Sequence, residues 1–202
     1  MKISLFCLLF LSCVALSAQQ FDSYSDSVLF QRQVKDKEFG DSLHSPLSKE
    51  DRAHFHGLSY FAPDTSFRVK AVFLKYKKQE AFVMKTSTDR VPVYHKYGYL
   101  VFTLQGKTFT LQVYRNKEIA KRPGMKDYLF IPFTDLTNGS ETYGGGRYID
   151  FRIPKGKEAW LDFNMSYNPY CAYSAGYSCP VPPEENFLNI RVGAGEKNFG
   201  DH

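Results

Sequence analysis

Cysteine and histidine are scarce in this 202-residue chain, with four of the first and five of the second, and no run of Lys or Arg is long enough to follow a phosphate backbone. The first shortage weakens a metal-site or redox-dithiol reading. The second excludes an extended nucleic-acid interface although the net charge is +5. A mean hydropathy of −0.37 excludes a polytopic membrane protein. Also missing are a Gly-x-Ser-x-Gly nucleophile elbow, a phosphate loop ending in Lys-Ser/Thr, and a Gly-x-Gly-x-x-Gly turn opening a helix. Their absence argues against the hydrolase, nucleotide and dinucleotide folds built on them. What is present, 43% apolar and 23% charged residues, suits one globular domain with a real core.

The N-terminus reads as a signal peptide over residues 1–18. Lys2 is followed by the apolar run Ile3 to Leu16 and the small residues Ser17 and Ala18. The run is shorter than the ~20 residues that span a bilayer. A cut after Ser17, with Ala15 at the small-residue position, fits better than one after Ala18, which puts Leu16 there. A lipoprotein anchored through Cys13, after Phe10-Leu11-Ser12, is the competing reading, and a buried N-terminal helix is a third. The expectation is an exported chain, periplasmic or secreted, with residues 19–202 forming one β-rich domain and no transmembrane segment in the mature part.

Export changes the meaning of the cysteines. Only Cys171 and Cys179 remain after cleavage, and an even pair in an oxidising compartment suggests a disulfide. The alternatives are two free thiols, or metal or redox chemistry, which the spacing disfavours because it is not Cys-x-x-Cys.

Phe21, Tyr24, Val28 and Leu29 fall at helical spacing, with a stop at Phe39-Gly40, and Ser48 can cap a second short helix. From about Leu58 the period is two. FRVKAVFLKY, EAFVMKTS, VPVYHKY, YLVFTLQ, KTFTLQVYR, YLFIPF, YIDFRI, AWLDFN and FLNIRV predict about nine short strands, with a hairpin turn at Gln105-Gly106. The fold class is mainly β (α+β): an antiparallel sandwich or partly open barrel with one or two N-terminal helices.

The C-terminal third is dense in turn formers and polar groups. Its motifs are Phe133 to Tyr148 (ending ETYGGGRY), Asp162 to Tyr173 (DFNMSYNPYCAY), Cys179 to Asn186 (CPVPPEEN) and Ala194 to Lys197 (AGEK). With Ser45-Pro46-Leu47 and Phe55 to Tyr60 upstream, this order resembles the bacterial family of domain of unknown function sixteen-eighty-four, over about Phe30 to Lys197. The resemblance implies a fold unit and no chemistry.

Function must then come from the residues. Gly144-Gly145-Gly146 permits close backbone approach and a nest for anions, and Arg147 can clamp a carboxylate or phosphate in a fork. The bland reading is a turn whose Arg147 pairs with Glu141 or Asp150. Arg147, Tyr143, Asp162, Asn164, Tyr167 and Asn168 are the candidate ligand-binding residues, although Asn164 and Asn168 also suit Asx-turns. Glu141 and Glu185 are the candidate acid/base carboxylates. Glu196-Lys197 reads as a local pair or a solvated tail. His54-x-His56 lacks an announced third ligand, so no metal and no cofactor is expected. Six tyrosines from Tyr143 to Tyr177 form either a ligand platform or strand and loop filler. Three functions fit: a protein binding a small anionic or sugar-like ligand, a metal-independent hydrolase or lyase, or a purely structural or interaction protein. Binding is favoured, and whether the chain is an enzyme stays open. Exported material is expected to begin at Ala18 or Gln19 without lipid; N-terminal sequencing and intact mass check this, and a diacylglyceryl-modified Cys13 contradicts it.

Overall fold

The computed structural model describes residues 23–43 and 45–200, so the signal-peptide and Cys13 readings lie outside the described residues. Helix α1 (Tyr24–Gly40) starts where the Ser23 side chain accepts the Asp26 backbone N–H at 3.2 Å. Its stripe differs from the expected one. Leu29 is exposed, while Val28, Arg32 and Phe39 are buried. Helix α2 (Lys49–Ala53) is capped by Ser48, as the sequence predicts.

Eight strands follow: β1 (Arg68–Lys75), β2 (Ala81–Val83), β3 (Val93–Leu104), β4 (Lys107–Arg115), β5 (Tyr128–Asp135), β6 (Arg147–Arg152), β7 (Glu158–Asp162) and β8 (Phe187–Leu188). Nine predicted segments become eight because VPVYHKY and YLVFTLQ are one long strand, bulged between Lys96 and Gly98. The bulge needs glycine: a Cβ at Gly98 would lie 2.5 Å from the Leu74 carbonyl oxygen. The β3–β4 hairpin turns on Gln105 and Gly106, both with positive φ (49° and 78°), as a two-residue primed turn requires.

The sheet runs β6-β5-β4-β3-β1-β7 with antiparallel neighbours; β2 adds to β3, and the short β8 lies parallel to β5. The edges β6 and β7 come together at one point. Just beyond β7, the Tyr167 and Tyr148 backbones exchange hydrogen bonds of 2.8 and 3.0 Å. The sheet thus curls into a partly open barrel. One face, with Leu100, Leu111, Leu129, Ile131, Phe133, Ile149, Leu161 and Phe163, fills the interior. The opposite face carries a second apolar cluster of Met84, Tyr94, Tyr114, Phe130 and Tyr148. Strict alternation along β5 and β6 separates the two sets.

The weakest seam is β4–β5, which share a single register pair, Tyr114 with Phe130. Asn186, fully buried, closes the gap. Its Oδ1 accepts the Gln112 N–H at 2.7 Å, and its Nδ2 donates to the Gln112 and Pro132 carbonyls at 3.0 and 2.7 Å. The side chain stands in for missing ladder bonds on both strands. Asn186→Ala is expected to cost about 2–4 kcal/mol in urea unfolding, since three buried backbone groups lose their partner; a loss below about 0.5 kcal/mol would contradict the stitch.

Candidate functional site

The glycine turn brings Arg147 into the protein and not onto a cleft. Gly146 has φ +89°, and a Cβ there would lie 2.8 Å from the Phe133 carbonyl oxygen and 2.6 Å from Pro182. The close approach that the three glycines permit is made by the chain's own β5 and Pro182. Arg147 has no exposed side-chain surface, and its pair is Asp135 at 2.8 Å, neither Glu141 nor Asp150. Its guanidinium also donates to the carbonyls of Val192 (2.9 Å), Ala194 and Glu196 (3.3 Å). The second Asp135 oxygen accepts the N–H groups of Thr137 (2.9 Å) and Val192 (3.1 Å). Burial pushes the Arg147 guanidinium below its ordinary range, against the pull of Asp135.

The two candidate acid/base carboxylates are held elsewhere. Glu141 takes a two-pronged bond from Arg191, at 2.7 and 2.5 Å, and that bond draws its pKa down. Around Glu185, burial pushes the pKa up, but the hydrogen bonds from Lys96 (2.8 Å) and Tyr114 outweigh it, and the net direction is down. Both are therefore ionised near neutrality and neither is a ready proton donor. Glu141, Glu185 and Arg147 do not line one cavity.

Other polar candidates fasten loops. Asp162 caps the short turn at 163–165 and accepts the Tyr24 hydroxyl on both oxygens at 2.8 Å. Asn164 grips Asp64, accepting its N–H at 2.9 Å and donating to its carbonyl at 2.8 Å. Tyr143 packs half-buried against the cluster of Phe39, Leu47, Ala172 and Tyr173. Glu196 is not a solvated tail group: it is 1% exposed and binds Lys35 of α1, the Tyr173 hydroxyl and the Asn168 N–H (2.8 Å). Cys171 and Cys179 form a disulfide.

The concave space lies between α1 and the second, tyrosine-bearing face of the sheet. It is a cavity of about 750 Å³, the size of a small-molecule site. Tyr94, Tyr128, Phe130 and Tyr148 form its floor, with Gln31, Val34, Lys35 and Glu38 on α1 opposite. The 165–170 and 177–180 segments supply the sides, including Tyr167, Tyr170, Tyr177 and the disulfide sulfur-bearing Cys179. Of the predicted ligand-binding residues, Asn164, Tyr167 and Asn168 line it; Arg147, Tyr143 and Asp162 do not. Exposed Asp150 is the polar centre of the floor. Its Oδ1 accepts the hydroxyls of both Tyr128 (2.7 Å) and Tyr167 (2.6 Å). Burial holds both phenols well above their ordinary range, with Asp150 adding to the effect, so they remain donors.

Sequence reasoning missed Tyr128, Phe130 and the place of Asp150, while Tyr148 belongs to the six tyrosines read as platform or filler. The signal available was the pairing of aromatic and polar residues at i and i+2 on one face of β5 and β6. Among the described residues no group of three or more His, Cys, Asp or Glu side chains is placed to hold a metal. Arg147→Met should lower unfolding free energy by about 3–5 kcal/mol, because it strands the buried Asp135 charge. Adding Asp135→Asn should restore part of that loss. A single variant within about 1 kcal/mol of wild type contradicts the structural role.

The model of a family described as protein of unknown function (DUF1684) matches residues 53–197, starting later than the sequence motifs suggest. The solution NMR structure of an uncharacterised protein from Haloarcula marismortui is similar, with 37% sequence identity and a TM-score of 0.68. The similarity covers 87% of this chain and 95% of that one. No curated protein matches. More than half of the chain falls within the family model, and the chain belongs to the DUF1684 family.

Proposed function

We propose that the mature chain is an exported protein that binds a small organic ligand in the cavity between α1 and the tyrosine face of the barrel. The observation that carries this reading is the cavity itself: aromatic walls around the exposed carboxylates of Asp150 and Glu38, between α1 and the sheet. Small-molecule sites have this composition, mostly apolar with a few convergent polar groups. Sugar-like molecules suit it, because their C–H faces lie on aromatic rings while their hydroxyls meet carboxylate and amide groups. The anionic alternative loses its cation, since Arg147 is enclosed by the fold. The hydrolase or lyase reading loses its acid, since Glu141 and Glu185 are both drawn toward the ionised form outside the cavity. Export is supported by the Cys171–Cys179 bond, which persists in an oxidising compartment.

A thermal-shift screen of the mature chain against monosaccharides, disaccharides, amines and carboxylates tests the reading. A ligand at 100 times its Kd adds about 2.7 kcal/mol, a rise of roughly 5–10 °C for a domain this size. Val34→Trp, on the cavity side of α1, should fill the space, abolish the rise and leave the ligand-free melting temperature nearly unchanged. A ligand response that survives Val34→Trp, or no response to any class, would count against the cavity as the site.

A further inference from the structure

The charges around the cavity are not balanced, and the imbalance names a ligand class. Arg32 and Lys35 line it on the positive side; Glu38, Asp150 and Glu196 line it on the negative side, leaving 2 − 3 = −1. Both cations are already engaged. Lys35 is bonded to Glu196, and its ammonium lies 4.7 Å from the Tyr167 ring centre. Arg32, 8% exposed, donates to the carbonyls of Phe61 (2.8 Å) and Asn164 (3.3 Å) and lies 4.5 Å from the Tyr60 ring centre. Two cations beside the lining are also engaged: Arg152 binds Asp127 at 2.7 Å and lies 5.8 Å from the Tyr128 ring centre, and Arg90 donates to Ser178 at 2.9 and 2.6 Å.

Asp150 is the open partner. The Tyr128 and Tyr167 hydroxyls both go to Oδ1, and Oδ2 receives no hydrogen bond from the described residues. Around it the rings form a corner: Phe130 and Tyr148 meet edge to face at 4.8 Å and 72°, and Tyr148 and Tyr167 at 5.8 Å and 90°. Crossed ring faces around a carboxylate favour a cation, because the face of each ring carries negative quadrupole density. An anion would meet the Asp150 charge with no free guanidinium or ammonium to offset it.

Resting on the reading of this cavity as a binding site, we propose that its ligand carries an organic ammonium group, held against Asp150 Oδ2 and the ring of Tyr148. The apolar remainder of the ligand lies along Val34, Met165 and Tyr170.

Choline and its uncharged isostere 3,3-dimethylbutan-1-ol differ at one atom, nitrogen against carbon, and glucose serves as a neutral polyhydroxyl probe. Isothermal titration of the mature chain with all three should give choline at least about tenfold tighter binding than the isostere. Asp150→Asn should reduce that ratio to about threefold or less, since the amide keeps the tyrosine hydroxyls' acceptor but removes the charge. The ratio in the wild-type chain stands on its own if the variant fails to fold. Equal affinity for choline and the isostere, or binding of glucose alone, overturns the cation and leaves the cavity as a binding site. Absence of heat with all three, together with no response in the wider screen, overturns both.

Discussion

A buried ion pair, Arg147 with Asp135, ties the C-terminal 192–196 segment to the barrel. Taking a guanidinium and a carboxylate out of water is costly, and the pair is tolerable only when nearly every donor and acceptor is used. Here Arg147 reaches three carbonyls on the 192–196 segment, while Asp135 anchors the backbone at Thr137 and Val192. The C-terminal segment thereby lies across the barrel end, with Val192 and Ala194 in the interior cluster. Its course also sets the glycine requirements: at Gly195, φ is +78° and a Cβ would fall 2.6 Å from the Ser166 carbonyl oxygen.

That placement reaches the cavity through Glu196. Once the pair fixes the segment, the Glu196 carboxylate joins Lys35, Tyr173 and the Asn168 backbone. Helix α1 is held by long side chains at intervals: Tyr24 on Asp162, Arg32 on Phe61 and Asn164, Lys35 on Glu196, and Asp36 on the Leu58 N–H at 3.0 Å. A helix anchored this way, with Leu29 and Val34 left exposed, does not press a continuous apolar stripe onto the sheet. The space beneath it is the cavity. Polar fastening and the tyrosine pocket are two outcomes of one arrangement.

Local features were legible in the sequence. The Gln105-Gly106 turn, the Ser48 cap and the strand segments depend on neighbouring residues, whose chemistry a short window contains, whereas the Cys171–Cys179 pairing came from the cysteine count in a chain expected to be exported. The buried role of Arg147 was not. An arginine after three glycines looks the same whether its partner is a ligand or Asp135, and only the β5–β6 pairing, which sets Phe133 opposite Arg147, brings that carboxylate alongside. The cavity was legible only in part. Tyr167 and Asn168 were found because they sit in a conspicuous polar motif. Tyr128, Phe130 and Asp150 sit in ordinary strands, and the period of two says which side chains share a face without saying what covers it.

The central claim is a division of labour: the polar motifs at 135–147 and 184–186 hold the fold, and the tyrosine face with α1 is the proposed binding surface. Residue-resolved NMR of the isotope-labelled mature chain during titration with a bound small molecule tests it most directly. The predicted footprint covers residues 31–38, 128–130, 148–150 and 165–168, with 135–147 and 184–186 unmoved. A footprint centred on Glu141, Arg147 and Glu185 would contradict the account.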